Sequence, residues 1–310
     1  MNIEEHHHLL AERKELTRLL EKAPPQKAIL RMSLQSRLES VNAELGKAPA
    51  SKRAPFRSRL TFRGTPVLGS HGIHAAFATS AVEKMTDAIA AFVASFAGPL
   101  NARGVLPNRD KNQLMIIGTA IGSFGFELEE RITNDEMALD VPSPVQVATE
   151  QVCDLMQASV ESDDDQLAVL ASGTDERAIK ELHGFIKVLA DNGAVCNLST
   201  GERTFGFQSI EQVRRSFERL NPDNLKETEE TFSGQFLGVL PEKREFEFSA
   251  FPESLLIRGK VNRVIKDASE INRLLNGRCR ITVHATRAGK GRPSYQLLDY
   301  VEEPSFNDLP

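Results

Sequence analysis

The chain has 310 residues, 40% hydrophobic and 26% charged, the make-up of an ordinary globular protein with room for about two domains. It holds no apolar run near the ~18 residues a bilayer-spanning helix needs. Its opening, MNIEEHHHLLAERKEL, has acids where a secretory leader wants bases, so neither a bilayer-spanning helix nor a leader is expected and a cytoplasmic chain is predicted.

The net charge of −5 conceals a division along the chain. Between Glu127 and Asp165 there are twelve acids and one base, Arg131. Between Arg258 and Arg292 there are ten Lys or Arg and two acids, Asp267 and Glu270, and the segment up to Arg63 is also basic. Such asymmetry marks either a surface for an anionic partner or segments that neutralise one another within the fold or an oligomer.

Residues 3–46 read as two helices broken at Pro24-Pro25. Ile3, Leu9, Leu10, Leu16, Leu19 and Leu20 stripe the first. In the second, Leu30, Leu34, Leu38, Val41 and Leu45 follow a heptad-like spacing, with Gly46 as a C-cap. Each helix is too short to be stable alone in water, so the stripes predict an antiparallel hairpin that packs on something further. Self-association through Leu16, Leu20, Leu34, Leu38, Val41 and Leu45 is expected. KAPASKRAP (47–55) reads as a linker.

The next segment opens on a strand with Leu60 and Phe62 on one face, followed by a loop, GSHGIHA. A helix then carries Val82, Met85, Ile89, Phe92 and Phe96 at steps of three and four. QLMIIG (113–118) and SFGFELE (123–129) form an expected antiparallel pair. Helices are predicted over 143–160, with Ser143-Pro144 as N-cap and N1, and over 164–171, 175–190 and 209–220, with a hairpin at 194–207. Beyond Asn221-Pro222 come five short strands and one helix, 266–276. The expected architecture is α+β: a coiled-coil-like helical hairpin (1–48), a central α+β domain (56–222) and a small β-barrel-like domain (228–303).

No segment carries a specific catalytic, cofactor or metal signature. The glycines of GTAIGSFG precede a strand rather than a helix, which argues against a dinucleotide or phosphate loop. Cys153, Cys196 and Cys279 form no CxxC pair and read as buried thiols. His6-His7-His8 point in different directions on a helix, a poor metal grip. Ser70, His71 and His74 form a candidate ligand loop before a helix; the alternative is that Ser70 or His71 is a plain N-cap of that helix. Glu127 and Glu129 share one face of a strand, either as an acid–base or magnesium-holding pair or as the solvated face of a half-exposed strand. Arg278 and Arg280 share a face of a strand, and Arg287, Lys290 and Arg292 follow in a glycine-rich loop expected to be flexible. These five cations are the candidate anion site, for nucleic acid or an acidic protein.

Three stretches, LTFRGTPVLGSHGIHAAFA, LMIIGTAIGSFGFELEE and GQFLGVLPEKREFEF with its continuation to GRPSYQLL, resemble a set of uncharacterised bacterial proteins. In that set an α+β module of unknown function precedes a small β-domain, sometimes in mobile or anti-phage loci. The resemblance implies a role in bacterial defence and supplies no catalytic residues. Together these readings predict a non-enzymatic, self-associating interaction protein that binds an anionic partner. The alternative is a nucleotide- or nucleic-acid-processing enzyme using the 69–74 loop with Glu127 or Glu129.

Overall fold

The computed structural model describes residues 3–24, 27–46, 55–110, 112–120, 124–131, 142–161, 163–201 and 203–303. The expected linker therefore lies outside the described residues, apart from Pro55. The chain divides into two units, one containing the hairpin within Met1–Pro55 and the other comprising Phe56–Glu130 with Ser143–Pro310. Among the described residues no helix is long and apolar enough to cross a membrane.

In the hairpin, α1 (Ile3–Lys22) and α2 (Ala28–Gly46) run antiparallel, because early residues of one meet late residues of the other. Arg37 grips Glu12 at 2.7 and 3.0 Å, while Arg31 reaches the carbonyls of Leu20 and Ala23 at 3.1 and 2.7 Å. Arg31 thereby supplies donors to the last turn of α1, whose carbonyls have no helical partner.

The second unit begins with β1 (Arg57–Gly64), the short pair β2 (Val67–Leu68) and β3 (Gly72–Ile73), and the helix α3 (Ala75–Ser95). Strands β4 (Leu114–Ala120) and β5 (Phe124–Glu130) come next. Helices α4 (Pro144–Val160), α5 (Asp164–Ser172) and α6 (Glu176–Asp191) precede β6 (Ala194–Thr200), β7 (Arg203–Gly206) and α7 (Ile210–Arg219). The sheet order is β4–β5–β1–β6–β7, with all neighbours antiparallel. Alternation along β1 buries Leu60 and Phe62 in the core with the helices and leaves Arg57, Arg59 and Arg63 exposed on the other face. The expected periodicity of α3 holds: Met85, Ile89 and Phe92 are buried, and the alanines between them let α6 pack closely. Ser143 caps α4 by accepting the Gln146 N–H at 2.9 Å, with Pro144 at N1.

The remaining strands are β8 (Leu225–Leu240), β9 (Glu245–Ala250), β10 (Leu255–Val261), β11 (Arg278–Ala288) and β12 (Ser294–Glu302). They pair in the cyclic order β8–β9–β10–β12–β11–β8, a ring whose single parallel junction is β10–β12. Phe236, Phe246, Phe248, Ile257, Ile281, Val283 and Leu297 fill it, with Phe236 edge-on to Phe248 at 5.1 Å. Each fully buried Phe contributes about 2–3 kcal/mol, and Phe236→Ala would leave a cavity costing about 3–5 kcal/mol. Gly259 makes the closure possible: it stands opposite Tyr295, and a Cβ there would collide with the Tyr295 carbonyl oxygen and come within 2.9 Å of the Phe246 ring. The helix expected at 266–276 is a shorter 3-10 helix, Ala268–Leu274, ended where Leu275 bridges to Phe236.

Candidate functional site

The five candidate cations do not share one surface. Arg278 and Arg280 project from one side of β11, and alternation turns Arg287 to the other side, about 23 Å further along the strand. Both Arg278 and Arg280 pair with Glu303, at 3.1 and 2.5 Å. Partial burial alone would raise the Glu303 carboxyl, but the Arg278 hydrogen bond and the adjacent Arg280 outweigh it and hold the group below the usual carboxylate range.

Arg287, Lys290 and Arg292 lie at the opposite end of β11, with side chains exposed. Arg287 is still within β11, and the loop after it, which carries Lys290 and Arg292, is held, not free. Gly289 donates to the Asn224 carbonyl at 3.1 Å, Gly291 to Ala288 at 2.9 Å, and the Arg292 backbone N–H to Asp165 at 2.6 Å. Asp164, beside it, holds the mostly buried Arg219 guanidinium at 2.7 Å.

Ser70 and His71 are exposed in the turn joining β2 and β3, where the His71 N–H meets the Leu68 carbonyl at 3.0 Å. Neither caps α3. That position belongs to His74, whose side chain makes no capping bond. The β2–β3 pair supplies the reason, since it takes up the loop before the helix can start. Glu127 and Glu129 stand opposite Arg59 and Arg57 across the β1–β5 ladder and pair with them at 3.3 and 2.6 Å. A solvated face does not describe Glu129: it is buried, as is Glu130. These pairs occupy the end of β1 away from its exit toward the 69–74 loop.

The three cysteines are buried. Burial pushes the Cys153 thiol up to about 12 and raises Cys196 and Cys279 as well, so none is a ready nucleophile. Among the described residues no group of three or more His, Cys, Asp or Glu could hold a metal ion.

A cleft of about 300 Å³ opens where the start of α6 faces the outer side of the ring. Glu176, Arg177 and Lys180 line it from α6, Glu227 from β8, and His284 and Thr286 from β11. Strand pairing sets His284 opposite Glu229 and Thr286 opposite Glu227. The His284 Nε2 lies 3.2 Å from a Glu227 oxygen, shielded from solvent and outside hydrogen-bond geometry. The Glu227 carboxylate raises the His284 pKa, partial burial opposes this, and Glu229 and Glu176 add to the rise. Neither His71, His74, Glu127 nor Glu129 lines this cleft.

Sequence reading passes over His284 because it stands alone in an alternating strand, and its acids belong to a polar stretch, Leu225–Glu229, that does not read as a strand. The usable signal is the alternation of Glu227 with Glu229, two on one face, opposite a strand that carries a lone histidine. The sequence matches no protein-family model, and no curated protein or solved structure matches it either.

Proposed function

We propose that the protein is a self-associating interaction protein, assembled through its helical hairpin. The observation that carries this reading is the apolar surface the hairpin leaves open. Ile29 is 86% exposed and Met32 72%, with Leu19 and Leu30 exposed beside the same turn. Along the seam Val41 is buried, while Leu16, Leu20, Leu34, Leu38 and Leu45 are only half-buried. Apolar side chains in these numbers on two short helices favour a second hairpin as cover. Light scattering tests the reading: the full chain should have a mass above 34.3 kDa, and a variant lacking residues 1–50 should be a monomer. A monomeric full chain overturns it.

A second activity, binding of an anionic partner, is supported by one observation: Arg287, Lys290 and Arg292 are exposed and have no ion pair among the described residues. Arg278 and Arg280, engaged by Glu303, drop to a secondary place. Fluorescence titration with single- and double-stranded oligonucleotides at two salt concentrations tests it, because phosphate contacts weaken steeply with salt. No binding at low salt removes nucleic acid and leaves an acidic protein surface as the partner.

A further inference from the structure

We propose that the cleft between α6 and the ring is a binding site for an organic cation, a ligand carrying an ammonium or guanidinium group, seated between Glu176 and Glu227 beside His284. A count of donors and acceptors around the cleft selects the class of ligand. Apart from the exposed Lys180 ammonium and the Thr286 hydroxyl, its donors are already engaged by the protein. Arg177 gives its guanidinium to the carbonyls of Asn101 and Gly104, at 3.0 and 2.6 Å. The backbone N–H groups of Arg177 and Leu100 are both taken by Asp175, at 2.9 Å each. The Asn262 amide donates to Gln296 at 2.6 Å, and the Gln296 amide in turn donates to the Ser172 carbonyl. Ser172 and Thr174 turn their hydroxyls back to carbonyls of α5, at 2.9 Å each.

The acceptors are differently placed. Glu176 makes no ion pair or side-chain hydrogen bond among the described residues, and the Glu227 carboxylate has only the poorly aligned His284 imidazole. An anion would therefore find few donors and two carboxylates, whereas a cation finds acceptors without partners. The positive groups that face the cleft are Lys180, exposed at its edge, the engaged Arg177, and His284 when protonated. The negative ones are Asp175, Glu176 and Glu227, with Glu229 behind His284. His284 thus occupies by its own proton the place a ligand cation would take, and the two compete. A volume of about 300 Å³ admits a group the size of a diamine or an arginine side chain.

The test uses putrescine and arginine as probes on the full-length chain, with sodium chloride at matched ionic strength as control. The His284 ring signal, identified by its loss in His284→Gln, is followed by nuclear magnetic resonance while calorimetry measures affinity. Saturating putrescine should lower the His284 titration midpoint, and affinity should fall as the pH drops through that midpoint. Glu176→Gln and Glu227→Gln should each weaken binding about tenfold, and Lys180→Gln should strengthen it. Glu176→Gln, at an exposed position, retains the fold and keeps the test decisive should Glu227→Gln disturb β8. An unmoved His284 signal with both amines overturns the proposal. So does amine binding that is unchanged in the two Glu variants, or a response to inorganic phosphate in place of the amines.

Discussion

Asp165, from the acidic stretch of the sequence, accepts the backbone N–H of Arg292, from the basic stretch, at 2.6 Å. The contact joins the start of α5 to the β11–β12 loop, and glycine is what permits it. A Cβ on Gly291 would come within 2.7 Å of the Asp164 Cβ and 2.9 Å of an Asp165 oxygen. The acidic and basic stretches thus touch through the backbone, and the Arg292 guanidinium stays exposed. Gly291→Ala should destabilise the protein by about 1–3 kcal/mol, the ordinary cost of forcing atoms into a packed site. Denaturant titration against the wild type checks it, and an unchanged midpoint would mean that the loop can lift away without loss.

The elements were largely legible because their signals are local. Ser143-Pro144 announces a helix start by its own chemistry, and Met85, Ile89 and Phe92 announce a buried face by spacing alone. What escaped depends on pairing across the chain. Glu129 reads as a solvated acid until Arg57, opposite it on β1, joins it at 2.6 Å. The first five residues of β8, LKETE, look like a loop and become strand because β11 pairs along them. The His284 cleft combines three strands of the ring with α6 and has no local pattern at all.

His284 should make stability depend on pH in a defined direction. Its folded pKa lies above the ordinary 6.5, through Glu227 first, with Glu229 and Glu176 adding. A group whose pKa is raised by folding contributes stability fully present below its unfolded pKa and lost as the pH rises through the folded value. The wild type should therefore lose stability relative to His284→Gln between about pH 6.5 and the folded midpoint. Melting curves of both proteins across pH 5.5–9 measure the difference, and parallel curves sink the assignment.

Ser159 on α4 and Ser216 on α7 meet at 2.5 Å in full burial, and Ser159 also bonds the Met156 carbonyl. The two positions are not equivalent. Ser159→Ala leaves the Ser216 hydroxyl buried without its partner and should cost about 1–3 kcal/mol, whereas Ser216→Ala leaves Ser159 bonded and should cost less. The double variant should cost less than the sum of the singles, because the two hydroxyls share one interaction. Strictly additive values from chemical denaturation would show that the pair contributes nothing as a pair.

Thiol accessibility offers a check on the core. Cys153, Cys196 and Cys279 are no more than 4% exposed, and burial raises all three thiols. A disulfide reagent should leave the native chain almost untouched over minutes at neutral pH and titrate three thiols in guanidinium. One fast native thiol would place an opening motion at that cysteine's strand or helix.

The assembly reading can be tested without removing the hairpin. Ile29 and Met32 lie on the exposed part of α2 and contribute little to the hairpin itself. Leu38 and Val41 are more deeply placed, with Val41 fully buried. Changing Ile29 and Met32 together to Glu adds two like charges to the surface proposed to meet its own copy, which would face them again across a twofold axis. The mass should fall to that of one chain while the melting temperature of the body from Phe56 onward stays as it was. Val41→Asp, by contrast, puts a charge in a buried site and should unravel the hairpin together with the assembly. A double Glu variant that keeps the parental mass would move the self-association surface away from the hairpin turn.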